Sequence, residues 1–448
     1  MEQKQNKMAV MPMGKLLVNM SLPLMLSLII QSLYNIVDSI FVSRLSEDAL
    51  TATSLAYPVQ FLMIAISVGT AVGLNALMSR KVGQNDTHGA GTIATTGLIL
   101  CLLTALVFSL TGIFFSDTLA RSFTADPEIA SLTSRYMSIC VSLCYGIFLE
   151  TLAQRMLTAV GLTTLSMVSL IVGAVTNIIL DPIMIFGYFG FPALGIAGAA
   201  IATVIGQWAG AATALYLNRK KNPSIHFIRE GYQFRMEDVL KIYKIGLPTM
   251  IMQAVGSVMI TLINKVLMPV SSSAVAFFGA YYKLQGFVMM PMNGLGQAAI
   301  PIAAFNLGAG NTKRIRELWK LLVPGALAFA FVGTLVFVLM PSTLLSLFAA
   351  GEEMLAIGVP ALRIIGVTFP LAAYVIVAGY FCSGLGNGVV NMTGGALRQL
   401  IILVPCFILL LKTMGLSYSW YAFWLSEAAA FVFCLFAVKR ELRMKAGN

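Results

Sequence analysis

Apolar residues run along this chain in long stretches separated by short polar connectors. Runs long enough to cross about 30 Å of hydrocarbon as helix centre near residues 16–43, 51–79, 90–115, 130–158, 163–187, 195–217, 243–269, 275–305, 318–346, 357–383, 389–411 and 418–438. The pattern predicts an all-α polytopic membrane protein with about twelve transmembrane helices. The polar start "MEQKQNKMAVMPMGK" leads into an apolar run longer than a signal-peptide core and with no evident cleavage site, so the first run is expected as a retained span.

Basic residues mark alternate connectors: Lys4, Lys7 and Lys15, then Arg80 and Lys81, then Arg219 to Lys221 with Arg229, Arg235, Lys241 and Lys244, then Lys313, Arg314, Arg316 and Lys320, and finally Lys439, Arg440, Arg443 and Lys445. The opposite connectors hold only Arg44, Arg121 and Lys412. The positive-inside rule then places both termini in the cytoplasm of a multi-pass plasma-membrane protein.

One shift of the chain against itself, by 225 positions, superimposes Leu22 on Leu247, Pro23 on Pro248 and Met25 on Met250. The same register pairs Tyr57 with Tyr282, Gly69 with Gly294, Gly83 with Gly308, Phe123 with Phe348, Glu128 with Glu353, Gly161 with Gly386 and Met167 with Met392. Proline and glycine held in a constant register argue for a duplication. Each half holds about six spans, an even number, which predicts two parallel pseudo-symmetric six-helix lobes, 1–222 and 223–448, joined by "NRKKNPSIHFIREGYQFRMEDVLK". Lobes of this kind enclose a central cavity and expose it alternately to the two sides, the architecture of a transporter.

Composition agrees: 58% of residues are hydrophobic, 10% are charged, and the mean hydropathy is +0.87. The net charge of +11 is topological, so no nucleic-acid partner is expected; the lipid bilayer is the expected surroundings. The six cysteines lie in apolar runs without C-x-x-C spacing and read as plain buried thiols. His88 and His226 fall in connectors away from any ligand cluster, and no cofactor is expected. No H-E-x-x-H, G-x-S-x-G or Walker pattern supports an enzyme.

Function is sought where the repeat breaks. Asp38 corresponds to Ile263, Asn177 to Ile402 and Asp181 to Cys406, so only the first half owns these polar groups. A charge inside a span costs at least about 2.5–3.5 kcal/mol on insertion scales and usually faces an aqueous cavity or an ion. In "TNIILDPIMIFG", Asn177 and Asp181 share a helix face, and Pro182 frees the carbonyl of Ile178, which predicts a locally opened helix presenting oxygen ligands. In "QSLYNIVDSIF", Gln31, Asn35 and Asp38 form one polar stripe with Tyr34 a turn before Asp38. Thr203 is a lone hydroxyl on the small-residue helix "GIAGAAIATVIGQW", and Pro23 is a place for the first span to bend. Two carboxylates in a low-dielectric pocket cannot comfortably both ionise, so the pair suits a proton or a hard monovalent cation such as Na+.

Other embedded charges divide between packing and function. Glu150 lies near Gln154 and Arg155 toward the cytoplasmic end of its span. Lys265 and Arg363 are close enough to helix ends to snorkel. Lys283 and Glu427, at similar depth, are expected to pair in the second lobe, and Arg398 in "LRQLIILVP" reads as a structural anchor. The thioethers of "FVMMPMNG" suit either a cavity for varied apolar shapes or ordinary packing.

"SLPLMLSLIIQSLYNIVDSIFV", "NIILDPIMIFGYFGFPALGIAGAAIAT" and "RQLIILVP" together resemble the multidrug and toxic compound extrusion (MATE) transporters over nearly the whole chain. The resemblance implies two six-helix lobes in a V shape, exporting amphipathic, often cationic organic compounds in exchange for Na+ or H+. It implies cation binding by Asp38, Asn177 and Asp181, with a backbone carbonyl of Ala199 and the hydroxyl of Thr203. Gln31, Tyr34, Asn35, Lys283 and Glu427 are expected in the substrate cavity. Another branch of the family carries acids in the seventh, eighth and tenth spans, where this chain has Lys265, Lys283 and Arg363, which argues against second-lobe cation coupling. A flippase for lipid-linked oligosaccharides is the alternative, usually with more than twelve spans and a basic cavity. A channel fits one asymmetric ion site less well. A monomer is expected.

Overall fold

The computed structural model describes residues 6–348 and 350–446. Among the described residues the regular structure is helical throughout, as a membrane interior requires when every backbone N–H and C=O must find its partner within the chain. Among the described residues ten helices are long and apolar enough to cross a bilayer, and two bent pairs bring the spans to twelve when each pair is counted once. They are α1 (Met13–Leu45), α2 (Glu47–Gly83), α3 (Thr87–Phe123), α4 (Pro127–Ser142 with Tyr145–Ala159), α5 (Thr163–Phe186) and α6 (Ile196–Lys221). The second half supplies α7 (Met236–Leu267), α8 (Ser272–Gly308), α9 (Thr312–Leu339), α10 (Glu352–Gly366 with Phe369–Gly384), α11 (Val389–Met414) and α12 (Leu416–Lys445).

The duplication read from the sequence is written into local structure. Ser46 caps α2 by accepting from the Ala49 amide at 3.0 Å, and Ser271, its repeat mate, caps α8 by accepting from Ala274 at 3.2 Å. Asp86 accepts from Gly89 at 2.7 Å ahead of α3, and Asn311 accepts from Arg314 at 3.2 Å ahead of α9. Each cap satisfies an amide that the first helical turn leaves without a partner. The two bends, 43° in α4 and 52° in α10, fall at matching positions. Gly161 and Gly386 both take left-handed backbone, φ 88° and 91°, in the turns before α5 and α11, a conformation only glycine adopts without strain.

Two compact units result. One runs from Leu26 to Gly246; the other combines the described residues up to Met25 with those from Leu247 onward. Their limits differ from the 222/223 division expected from the connector, for reasons visible in hydrogen bonds. Asn218 Nδ2 donates to Ala153 O at 2.7 Å, Asn222 Nδ2 to Met156 O at 3.2 Å, and the Ile228 amide to Thr95 Oγ1 at 2.9 Å, so the connector is fastened to α3 and α4. At the other end of the chain Arg314 Nη2 donates to the carbonyls of Met8 and Met11 at 3.0 and 2.7 Å, fastening the N-terminal segment to α9. The unit changes three residues after Pro23 in α1 and just before Pro248 in α7. Both helices nevertheless stay continuous through their prolines.

Candidate functional site

The first unit places Asn177, Asp181, Ala199 and Thr203 together where α5 meets α6. Small residues make this possible. A Cβ built on Gly206 would sit 2.8 Å from Gly173 O and 3.0 Å from Asn177 Cβ, so only glycine lets the helices approach this closely. The close approach drives Asn177, Asp181 and Thr203 out of water: they are 2%, 0% and 8% exposed. Asn177 Nδ2 donates to Asp181 Oδ1 at 3.3 Å and reaches Thr203 Oγ1 at 3.5 Å. Ala199, also buried, lies one turn before Thr203 on the same helix.

Asp38 comes from α1, far away in sequence, and its side chain lies within hydrogen-bonding reach of Asp181. Two carboxylates are both acceptors, so such a contact is favourable only with a proton or a cation between them. The same need appears at the level of single atoms. Asp38 Oδ1, Asn177 Oδ1 and Asp181 Oδ2 are buried oxygens without a hydrogen-bond partner. A buried acceptor left this way costs about 1–3 kcal/mol, and three in one cluster fit the hard-oxygen donor set of a small monovalent cation, or of protons. Among the described residues no group of three or more His, Cys, Asp or Glu is placed to hold a metal ion.

Helix α5 continues through Pro182 to Phe186 and ends at Gly187, whose φ is 77°. The local opening expected at Pro182 is therefore confined to the hydrogen bond that proline cannot make, because the helix beside it is held by its packing on α6.

Around the pair, Tyr34 is partly buried and within electrostatic range of Asp38, Glu150 and Asp181, while Gln31 and Asn35 are exposed on the same helix. Sequence reasoning missed two α4 neighbours. Tyr136 and Cys140 lie within electrostatic range of Asp38, and Gln60 Nε2 reaches Tyr136 Oη at 3.5 Å. An aromatic and a thiol in an apolar span carry no signal that marks them.

In the second unit Glu427 pairs with Arg398, at 2.5 Å from Nε to Oε1, and not with Lys283 as expected. Lys283 is exposed and joins no ion pair among the described residues. Arg398 lies on a π-helical turn, Leu397–Ile401, which carries its side chain inward to α12. Lys265 and Arg363 are exposed, as snorkelling side chains are. Met289 and Met292 are buried packing residues.

The MatE family model matches residues 23–183 and again 248–408, two matches offset by 225 positions at both ends. Multidrug export protein MepA of Staphylococcus haemolyticus is 24% identical over 428 residues, spanning 95% of this chain and 93% of that protein. A FAD transporter of Shewanella oneidensis is 26% identical over 344 residues, 77% of this chain and 76% of its own. A solved structure described as the outward-facing conformation of a multidrug resistance MATE family transporter of the MOP superfamily shares the fold, with a TM-score of 0.91 over 99% of both chains at 22% identity.

Proposed function

Since the chain belongs to the MATE family, whose members are transport proteins rather than enzymes, we propose that it is a Na+- or H+-coupled antiporter exporting amphipathic, often cationic organic compounds by alternating access. The observation that carries this reading is the set of three unpartnered buried oxygens on Asp38, Asn177 and Asp181. A monovalent cation entering there cancels one of the two facing carboxylate charges and, lying between them, relieves their repulsion and offers the free oxygens a partner; its departure leaves them opposed. The occupied and empty sites therefore favour different arrangements of α1 against α5 and α6. Thr203 Oγ1 and the carbonyl of Ala199 complete the donor set. Each elementary charge moving inward gains about 2.3 kcal/mol per 100 mV of membrane potential, enough to drive substrate the other way.

The basic connectors support cytoplasmic termini in a plasma-membrane protein, and a monomer is the proposed state. Gln31, Tyr34, Asn35 and Lys283 are the proposed substrate contacts. Glu427 enters that set only through Oε2, the oxygen Arg398 leaves without a partner. The name of the Shewanella relative supplies a second substrate class, an anionic flavin dinucleotide. Flipping of lipid-linked oligosaccharides is the alternative from the wider group.

Reconstitution into vesicles tests the reading, with ethidium, FAD and a lipid-linked sugar as separate probes under separately imposed Na+ and H+ gradients. Ethidium movement is expected to accelerate under one gradient in the parent and to ignore it in Asp181→Asn. Undiminished gradient-driven transport by Asp181→Asn would remove the site from the mechanism.

A further inference from the structure

A third carboxylate, Glu150 of α4, belongs to the same seam. Its Oε1 accepts from Gln154 Nε2 at 3.0 Å, and among the described residues it joins no ion pair. Its place is built by glycines. A Cβ on Gly210 of α6 would overlap the carboxylate, 2.6 Å from Cδ, and one on Gly173 of α5 would lie 3.5 Å from Oε1. The two helices thus give up side chains at the level where Glu150 inserts. Gly173 is one turn before Asn177 and two before Asp181 on α5, so Glu150 stands about 12 Å along the helix axis from Asp181, with Asn177 between them. Gly206, packed against Asn177, closes the other wall of the seam. Tyr34 lies within electrostatic range of Glu150, Asp38 and Asp181 together.

Glu150 also lies in the later half of its span, nine residues before Ala159, and the neighbouring spans α2 and α6 end in Arg80 and Lys81 and in Arg219 to Lys221. An ionised carboxylate without a cation at this depth is costly, so the group is held with a proton or with a visiting ion. We propose that Glu150 is a relay station, a second cation or proton site through which the coupling ion passes between the Asp38 and Asp181 pair and the membrane side bearing those basic residues. The proposal rests on the cation-coupled reading above. No bond beyond O–H or ion–oxygen contact is made or broken: the ion leaves the outer pair, is held by the Glu150 carboxylate, and departs to solvent. Tyr34 lies within electrostatic range of Glu150; Asp38 and Asp181 lie farther along the same seam, and Arg155 follows on its own helix.

A purely structural Glu150 needs only an acceptor for Gln154, which Glu150→Gln still provides. In reconstituted full-length protein, Glu150→Gln is expected to slow gradient-driven ethidium transport about tenfold or more and flatten its dependence on internal pH, with ethidium binding within about twofold of the parent. Parent-like rate and pH profile in that variant would overturn the relay. Asp181→Asn, run beside it, separates the two ideas: if that variant keeps driven transport the coupling reading fails, whereas if it loses transport and Glu150→Gln does not, only the relay fails. Should Glu150→Gln fold poorly, the parent decides. A lipophilic carbodiimide, which captures protonated carboxyls inside membranes, is expected to label Glu150 as well as Asp38 or Asp181. Adducts on either aspartate with none on Glu150 would overturn the proposal.

Discussion

Arg398 donates from Nε to Glu427 Oε1 at 2.5 Å, linking the π-helical turn of α11 to α12 with both side chains almost sealed from solvent. A buried pair of this kind holds each partner hostage to the other. Glu427→Gln is expected to destabilise the protein by about 3–5 kcal/mol, because it strands a guanidinium. Replacing both residues with methionine is expected to recover most of that loss, and Lys283→Met to change stability by less than about 0.5 kcal/mol. Thermal denaturation in one detergent checks all three; a Lys283→Met defect equal to that of Glu427→Gln would contradict the pairing.

Gly206 tests the α5–α6 seam. Alanine there meets Gly173 O and Asn177 Cβ at 2.8 and 3.0 Å, so overpacking of about 1–3 kcal/mol outweighs the gain of up to about 1 kcal/mol in helix propensity. Gly206→Ala is expected to lower both the melting temperature and the affinity for the coupling ion. Gly279→Ala in α8, where a Cβ meets nothing within 4 Å, is the control and should be neutral or stabilising. Calorimetric titration with Na+ at fixed pH reads the affinity.

The connector before α3 supplies a pH prediction outside the membrane. Asp86 accepts from Lys81 Nζ at 2.8 Å and from the Gly89 amide at 2.7 Å, and these bonds, the lysine first, hold its carboxyl below the usual carboxylate range. A depressed folded value means that its stabilisation is complete above the ordinary value of about 4 and is lost as pH falls through the lower folded one. Asp86→Ala is expected to cost about 1 kcal/mol at neutral pH as a lost cap. Melting temperatures of parent and variant should converge in acid; a gap that persists there would show another cause.

Thr95 fastens the inter-half connector. Its hydroxyl accepts from the Ile228 amide at 2.9 Å, and Thr95→Val leaves that amide unsatisfied at a cost of about 1–3 kcal/mol. Limited proteolysis should cut the variant faster between residues 223 and 235. Unchanged cleavage would mean that the connector is held by other bonds, such as that between the Tyr232 and Thr96 hydroxyls.

The spans, the duplication and the Asn177–Asp181 pair were legible because each is a local pattern: an apolar run, a constant offset, two polar groups one turn apart. Asp38 was legible only by its absence from the second half, and its nearness to Asp181 required the fold. Depth in the membrane points Glu427 to Lys283, but depth does not say which way a side chain turns, and Arg398, on its π-helical turn, is the cation that meets it. The bends within α4 and α10 were invisible because hydrophobicity is indifferent to a change of direction. The 222/223 boundary followed polarity, whereas packing follows hydrogen bonds such as those of Asn218, Asn222 and Thr95.

Helices α1 and α7 each begin in one compact unit and finish in the other. Severing the connector after residue 222 would therefore yield two fragments, neither of them autonomous, since each keeps the opening turns the other needs and lacks its own.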